Sequence, residues 1–274
     1  MMVWNRRLKD RLPARLLRVI RDTLESFGPL WSRKYYGQFG EDAVIQGIFQ
    51  DEAWAMASAK AGGGIRSEPG FYVDIGAFAP IQHSNTYWFY KKGWRGINID
   101  ATPGSMRIFN RVRRRDINLE LAISTQEGEL TYYIWGTPNV CNTTSKEVAE
   151  KLTKNGCFPE QKKVKAQTLR RVLDECLPAG QTIDFMSVDV ESHNLEVLKS
   201  NDWQKYRPRI ILVEADGDEG DLQSIAASEM VSLMRGHHYK VCAWVKPTII
   251  FKLERDENGQ ETSMASAAAT RTSA

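Results

Sequence analysis

Residues 71–80, with the sequence FYVDIGAFAP, constrain the fold more than any other stretch of this chain. Val73 and Ile75 are β-branched and apolar, as residues of a central parallel strand are. Asp74 lies where this strand opens into a loop, and Gly76 lets a ligand approach the backbone closely. A strand, an acid, a glycine and a following helix predict a nucleotide-type pocket at the carboxyl edge of an α/β sheet. Taken alone, the stretch fits a plain strand-to-helix turn equally well.

Motifs that the sequence lacks narrow the class of pocket. There is no GxGxxG dinucleotide fingerprint and no GxxxxGK[ST] phosphate loop. The four cysteines include no CxxC pair, so we expect neither a zinc site nor a disulfide framework. The net charge of +3 is too small to indicate a nucleic-acid partner. The stretch Asn142-Thr143-Thr144 matches a glycosylation sequon, which carries no weight without a signal peptide.

Other predicted strands also end in acids. They cover residues 96–100, 183–191 and 209–214. Because the carboxyl ends of parallel strands meet at one edge of a sheet, we expect a row of carboxylates there. Asp100 ends the second strand, where a carboxylate can accept hydrogen bonds from both hydroxyls of a ribose. Capping of a helix that begins near Pro103 is the alternative role for this acid.

The remaining periodicities predict helices and strands in alternation. A predicted helix at 105–115 carries five arginines, which we interpret as a solvated face; attraction of an anionic acceptor is the alternative. Residues 117–124 and 129–135 are predicted to pair as a hairpin, and residues 241–253 to form a second hairpin at the sheet edge. Residues 53–70 are predicted to be a flexible loop. Other predicted helices are 84–92, 145–155, 168–177 and 222–235.

Four blocks of sequence are jointly specific in their order and spacing. They are QFGED at 38–42, FYVDIGA at 71–77 with SNT at 84–86, GWRGINID at 93–100, and IDFMSVDVE at 183–191 with HNLEVLK at 193–199. Together they resemble the FkbM-type methyltransferases, which use S-adenosylmethionine (SAM). Val213-Glu214 closes the set, so that the resemblance covers about residues 35–215.

The resemblance implies an α/β fold. This is the Rossmann-like class I methyltransferase sheet, mostly parallel with an antiparallel C-terminal strand and with helices on both faces. It also implies SAM as cofactor and transfer of the methyl group to a hydroxyl, commonly of a sugar or a natural product. The cofactor-binding residues that it implies are Asp74, Gly76 and Ala77 in the turn, Asn85 and Thr86 towards the carboxylate end of SAM, and Asp100 with Ala101 at its ribose.

The chain departs from the family pattern at three places. Ser192 stands where the family has a glycine, and Asn194 stands where it has an acid. The second strand ends in Asp100, where Glu is more common. Residues 79–83 form an unusual version of the turn after Gly76. These departures affect the acceptor side of the predicted site more than the cofactor side.

The candidate catalytic residues follow the strand at 183–191. Methyl transfer requires a base for the attacking hydroxyl, and His193 is the first candidate because imidazole ordinarily titrates near neutral pH. Asp189 and Glu191 are expected to orient that base or to bind acceptor hydroxyls. His193 as a helix cap is the alternative, and His83 is a second candidate base. We expect no metal; a divalent ion held by Asp189 and Glu214 is the alternative.

The predicted organisation has three parts. Residues 1–34 form a basic helical extension, residues 35–255 the SAM-dependent methyltransferase domain, and residues 256–274 a disordered tail. The basic helix either lies on an anionic membrane surface or packs on the domain with a solvated face. With no signal core near the start, we expect a cytoplasmic protein, peripheral at the inner membrane surface if the first alternative holds. The sequence does not predict an oligomeric state.

The hypothesis from the sequence is a SAM-dependent O-methyltransferase that acts on a sugar hydroxyl of a glycan or glycolipid precursor. Two rival functions fit the same residues. A non-catalytic SAM-binding or scaffold protein would keep Asp74 and Asp100 while tolerating Ser192 and Asn194. An NAD-linked oxidoreductase would share the acid after the second strand but should carry the glycine triplet that is missing here.

Overall fold

The computed structural model describes residues 34–59, 69–136, 139, 141–215 and 221–254, with the backbone alone for residues 52–59. The chain divides into two units, residues 1–35 and 36–274. Only residues 34 and 35 of the first unit are described, and every described helix and strand belongs to the second unit. The predicted basic helix up to residue 33 and the predicted tail lie outside the described residues.

Seven of the ten described strands form one sheet, in the order β3-β2-β1-β7-β8-β10-β9. Within the described residues, β10 is the strand that runs antiparallel to its neighbours β8 and β9. The other pairings are parallel. This sheet confirms the predicted Rossmann-like fold and its antiparallel C-terminal strand. The strands are β1 (Phe71–Ile75), β2 (Arg95–Asp100), β3 (Ile117–Glu120), β4 (Ala122–Ile123), β5 (Gly128–Ile134), β6 (Glu160–Gln167), β7 (Phe185–Val188), β8 (Ile210–Glu214), β9 (Tyr239–Val245) and β10 (Thr248–Leu253).

Helices cover both faces of this sheet. Helix α1 runs on to Ala59, so part of the predicted loop at 53–70 is helical. The predicted helix at 222–235 is two helices, because Ser228 has an extended backbone and caps the second one by accepting a hydrogen bond from Val231 N. The helices are α1 (Glu41–Ala59), α2 (Tyr87–Lys91), α3 (Met106–Val112), α4 (Lys146–Lys154), α5 (Leu169–Cys176), α6 (Asn194–Lys199), α7 (Leu222–Ala227) and α8 (Glu229–Gly236).

The core lies on both faces of the sheet, since alternate residues of each strand point to opposite sides. On one face Val73 and Ile75 pack in a large cluster with residues of α5, α6 and α8. On the other face Tyr72 and Phe185 pack with residues of α1 and α2. Burial on both faces matches the apolar central strands of the sequence. The parallel orientation of these strands brings their polar carboxyl ends to one edge of the sheet.

A separate three-stranded sheet has the order β4-β6-β5. The single strand predicted at 117–124 therefore breaks at the buried Leu121, where the chain leaves the main sheet. The predicted hairpin of β5 with the preceding strand is wrong, because β5 pairs antiparallel with β6. We call these three strands the accessory sheet, and we include in it the segment 142–144, which is bridged to β5 through Tyr133.

No helix in the described part of the chain combines the length and the apolar composition that crossing a bilayer requires.

Candidate active site

A cavity of about 200 Å³ lies where the carboxyl ends of β1, β2 and β7 meet the accessory sheet. Gly76, Asp100 and Ala101 of the predicted cofactor set line it. Asp189, Glu191 and His193 of the predicted catalytic set line it as well. Its remaining described lining residues are Gln38, Ile75, Phe78, His83, Ile99, Thr102, Leu121, Ala122, Ile123, Tyr132, Asn139, Asn142, Thr144, Val190 and Glu214.

Gly76 makes the turn after β1 possible. Its φ of +79° lies in the left-handed region, and its N–H donates to Ile99 O at 2.9 Å. A Cβ at this position would lie 1.6 Å from the carbonyl oxygen of Asp189. The first turn and the end of β7 therefore approach each other more closely than any side chain would allow.

Asp100 presents its carboxylate to the cavity from the end of β2. Its Oδ2 accepts from Phe78 N at 2.9 Å and its Oδ1 accepts from Thr102 N at 2.8 Å. Burial raises the pKa of Asp100, and these two hydrogen bonds oppose that shift. Each oxygen has a second lone pair, so the carboxylate can also accept from hydroxyls of a ligand.

The other predicted cofactor residues lie behind the turn. Asp74 Oδ2 accepts from Thr86 Oγ1 at 2.7 Å, and burial raises the pKa of Asp74 to about 6. Ala77 packs in a small cluster with α3. Asp74, Thr86 and Ala77 are not among the residues that line the cavity. Asn85 donates to Ser187 Oγ at 3.2 Å and lines a smaller, neighbouring cavity.

The smaller cavity, of about 20 Å³, is roomy enough for about one water molecule. It shares Gln38, His83, Asp189 and Glu214 with the larger cavity. Glu41, which is 3% exposed, lines it; the Oε2 atom accepts from Phe39 N at 2.9 Å. The QFGED segment at 38–42 thus forms part of the site.

Three acids meet between the two cavities. Asp189, Glu191 and Glu214 each offer an oxygen within 4.8 Å of the others, as expected for strand ends at one edge. The side chain of Asp189 is open to the cavity although the protein surrounds it on most sides. Desolvation, with the hydrogen bond to Glu214 and repulsion by nearby acids, raises its pKa well above the ordinary value. Carboxyl groups placed this close together can hold a cation or share a proton.

His193 and His83 line the larger cavity from different segments of the chain. His193 precedes α6, but its side chain forms no capping hydrogen bond there. Its Nδ1 instead lies 3.3 Å from Thr144 Oγ1 of the accessory sheet. His83 stacks on Phe78 with 6.0 Å between ring centroids, and both of these residues have positive φ.

The turn after β7 has a left-handed backbone at Ser192, the position where the resemblance implies a glycine. Glu191 and Ser192 have φ of +50° and +70°, so Ser192 adopts a left-handed conformation that favours glycine. Asn194, which is fully buried, accepts from Val190 N at 2.9 Å and donates to Glu214 O at 3.0 Å. Asn194 therefore ties the end of β7 to the end of β8.

Arg113 is the main residue that sequence reasoning missed. The predicted solvated face at 105–115 is wrong for this arginine, because its side chain is fully buried. Its Nε donates to Asp116 Oδ2 at 2.8 Å, and its Nη2 donates to Tyr72 Oη at 2.7 Å and to Thr86 Oγ1 at 2.9 Å. Its Nη1 donates to Pro80 O at 3.0 Å. Arg113 thus supports the turn beneath the cavity from behind.

The sheet order, the glycine turn and the acid at the end of β2 are those of the Rossmann-like methyltransferase fold. The family model described as the methyltransferase FkbM domain matches residues 74–241, more than half of the chain. The chain belongs to the FkbM methyltransferase family. A comparison with curated proteins finds no match. The family favours a methyltransferase over the NAD-linked oxidoreductase.

Proposed function

We propose that this protein is a SAM-dependent O-methyltransferase whose acceptor is a sugar hydroxyl in a glycan or glycolipid precursor. The observation that carries the proposal is the carboxylate of Asp100, which is fixed by two backbone N–H groups and faces the cavity beside Gly76. In this arrangement Asp100 and Ala101 hold the ribose, and Gly76 admits the methionine part. Asp74, Ala77 and Thr86 support the turn, while Asn85 lies towards the carboxylate end.

The charge of the two cavities supports both the cofactor and an uncharged acceptor. Five acids line them: Glu41, Asp100, Asp189, Glu191 and Glu214. No lysine or arginine is among the described residues that line either cavity. An excess of carboxylates attracts the cationic end of SAM and repels an anionic acceptor. Neutral hydroxyls, which donate to carboxylates, fit this lining.

In this proposal His193, Asp189 and Glu191 carry the chemistry. Bound SAM would supply a methyl group on a sulfonium sulfur, and the leaving group would be a neutral thioether that retains the electron pair of the C–S bond. His193 takes the proton of the acceptor hydroxyl as its oxygen forms the new C–O bond. Asp189 and Glu191 bind the neighbouring acceptor hydroxyls and hold the attacking oxygen in line.

Asp100→Asn is expected to weaken SAM binding about ten- to hundredfold, because it removes a charge-assisted hydrogen bond to the ribose. Isothermal titration calorimetry of the full chain with SAM measures this change. Glu120→Gln is the matched control, since Glu120 is the register partner of Asp100 at the exposed end of β3. Absence of SAM binding by the unsubstituted protein would refute the proposed function as a whole.

His193→Ala is expected to lower the rate of methyl transfer about a hundredfold or more while SAM affinity stays unchanged. The reason is that the variant removes the proton acceptor and leaves the ribose contacts intact. Labelled SAM and a panel of neutral methyl glycosides provide the assay, and His238→Ala, outside both cavities, serves as control. Full activity of His193→Ala would exclude His193 as the base.

The same assay separates the remaining alternatives. Turnover with glucosides but not with glucuronides would support the proposed neutral acceptor. Equal turnover with and without EDTA is the result that a metal-free mechanism requires, whereas recovery with Mg²⁺ would place a cation at Asp189 and Glu214. SAM binding with no turnover on any acceptor would favour a non-catalytic SAM-binding protein. The proposed location is cytoplasmic, and binding of the full chain to anionic vesicles would show whether residues 1–34 add a membrane contact.

A further inference from the structure

The segment Asn142-Thr143-Thr144 uses every one of its polar side chains inside the protein. Asn142 is 7% exposed; its Oδ1 accepts from Trp135 N at 2.9 Å and its Nδ2 donates to Gly136 O at 2.8 Å. These bonds occupy the amide that the glycosylation sequon would modify. The sequon-like pattern therefore reflects local structure, and the two threonines that follow point to its role.

Thr143 joins the accessory sheet to the strained turn after β7. Its backbone exchanges hydrogen bonds with Tyr133 of β5, at 2.9 and 3.2 Å. Its hydroxyl donates to Glu191 O at 3.1 Å and accepts from Ser145 N at 3.0 Å. Glu191 has a left-handed backbone, a conformation that persists only where surrounding contacts hold it. The accessory sheet thus fixes the loop that carries His193.

We propose that Thr144 is a positioning residue that accepts a hydrogen bond from Nδ1–H of His193 and so holds the imidazole in the tautomer that its role as base requires, an inference that rests on the proposed function. Thr144 Oγ1 lies 3.3 Å from His193 Nδ1, and both residues line the larger cavity. When Nδ1–H donates to the threonine oxygen, Nε2 carries the free lone pair. Nε2 then accepts the proton of the acceptor hydroxyl, and the resulting imidazolium keeps its bond to Thr144.

This arrangement assigns a task to the accessory sheet. The segment 142–144 supplies Thr143 to hold the turn and Thr144 to orient the base. The register of this segment with β5 therefore sets the geometry of His193. The acids that line the same cavity as His193 are Asp100, Asp189, Glu191 and Glu214. Negative charge on these groups stabilises the imidazolium that forms during proton transfer, and the Nδ1–H bond to Thr144 leaves Nε2 as the nitrogen that receives the proton.

The direct test is the imidazole ¹⁵N spectrum of the ¹⁵N-histidine-labelled full chain at about pH 8, where free imidazole is neutral. His193→Gln assigns the signal among the four histidines. We expect His193 in the Nδ1–H form, whereas free histidine prefers Nε2–H. Thr144→Val should shift His193 towards the Nε2–H form, and Thr144→Ser should restore the Nδ1–H form. Thr131→Val makes the same chemical change on β5, outside the cavity, and should leave the spectrum unchanged.

Turnover provides the second readout. With a neutral methyl glycoside as probe acceptor, Thr144→Val is expected to lower kcat about fivefold to tenfold with an unchanged KM for SAM. Thr144→Ser should recover most of the rate, which a loss of packing alone would not explain. An Nε2–H signal for His193 in the unsubstituted protein, or no response to Thr144→Val, would overturn the proposal. The expected tautomers without any turnover would overturn the proposed function and leave the positioning in place.

Discussion

Gly76→Ala is expected to destabilise the protein by at least about 3 kcal/mol and to abolish SAM binding. The added Cβ would lie 1.6 Å from Asp189 O and 3.3 Å from a methyl group of Val190, so the backbone at the end of β7 must move. The left-handed φ of +79° adds to the cost. Urea denaturation measures the free energy of unfolding, and calorimetry measures the binding of SAM.

Gly180→Ala is the matched control for that experiment. Gly180 has a φ of +73°, close to that of Gly76, but no atom of the described residues lies within 4 Å of the position that a Cβ would take there. It should therefore lose about 1 kcal/mol from backbone strain alone and keep its affinity for SAM. Equal losses of stability in both variants would show that strain, and not the close approach of two strand ends, makes glycine necessary at position 76.

Arg113→Met is expected to lower the free energy of unfolding by about 3–5 kcal/mol. The guanidinium and the Asp116 carboxylate form an ion pair at 2.8 Å with neither side chain accessible to solvent. Removal of the cation leaves Asp116 buried without its counter-ion. It also removes the donor to Thr86, the residue that binds Asp74. SAM affinity should fall with stability, because the turn beneath the cavity loses its support.

Arg114→Met separates burial from charge. Arg114 is the adjacent residue, is exposed, and donates to Arg111 O at 3.1 Å. The same substitution there removes the same charge and should change stability by less than about 0.5 kcal/mol. Thermal and urea denaturation of both variants measure the difference. A small effect at Arg113 would mean that Tyr72 and Asn98 can satisfy Asp116 without the guanidinium.

The main sheet could be predicted because its central strands are apolar and each ends in an acid. The same rule placed Asp189, Glu191 and Glu214 at one edge, where the structure brings their oxygens together. The accessory sheet could not be predicted in the same way. Residues 160–163 of β6 are polar and exposed, so they show no alternation that distinguishes a strand from a loop. The proposed roles of the site residues stay predictions.

Arg113 shows a different limit of sequence reasoning. Five arginines in one short segment have similar local surroundings, and only the packing of distant strands decides which of them turns inward. A signal was present: Asp116 follows Arg113 by three residues, and Tyr72 and Asn98 place polar groups inside the central strands β1 and β2. Buried polar groups require partners, so these positions together indicated a buried donor.

The position of β10 has a consequence for synthesis of the protein. This last strand inserts between β8 and β9, and its Thr248 donates to Glu41, 207 residues earlier, at the smaller cavity. A chain growing on the ribosome therefore exposes the unpaired edge of β8 until β10 has emerged. Premature termination before residue 248 would release a polypeptide with an incomplete site and with the apolar strand β8 unpaired at its edge. Such a polypeptide would be bound by chaperones or degraded by proteases.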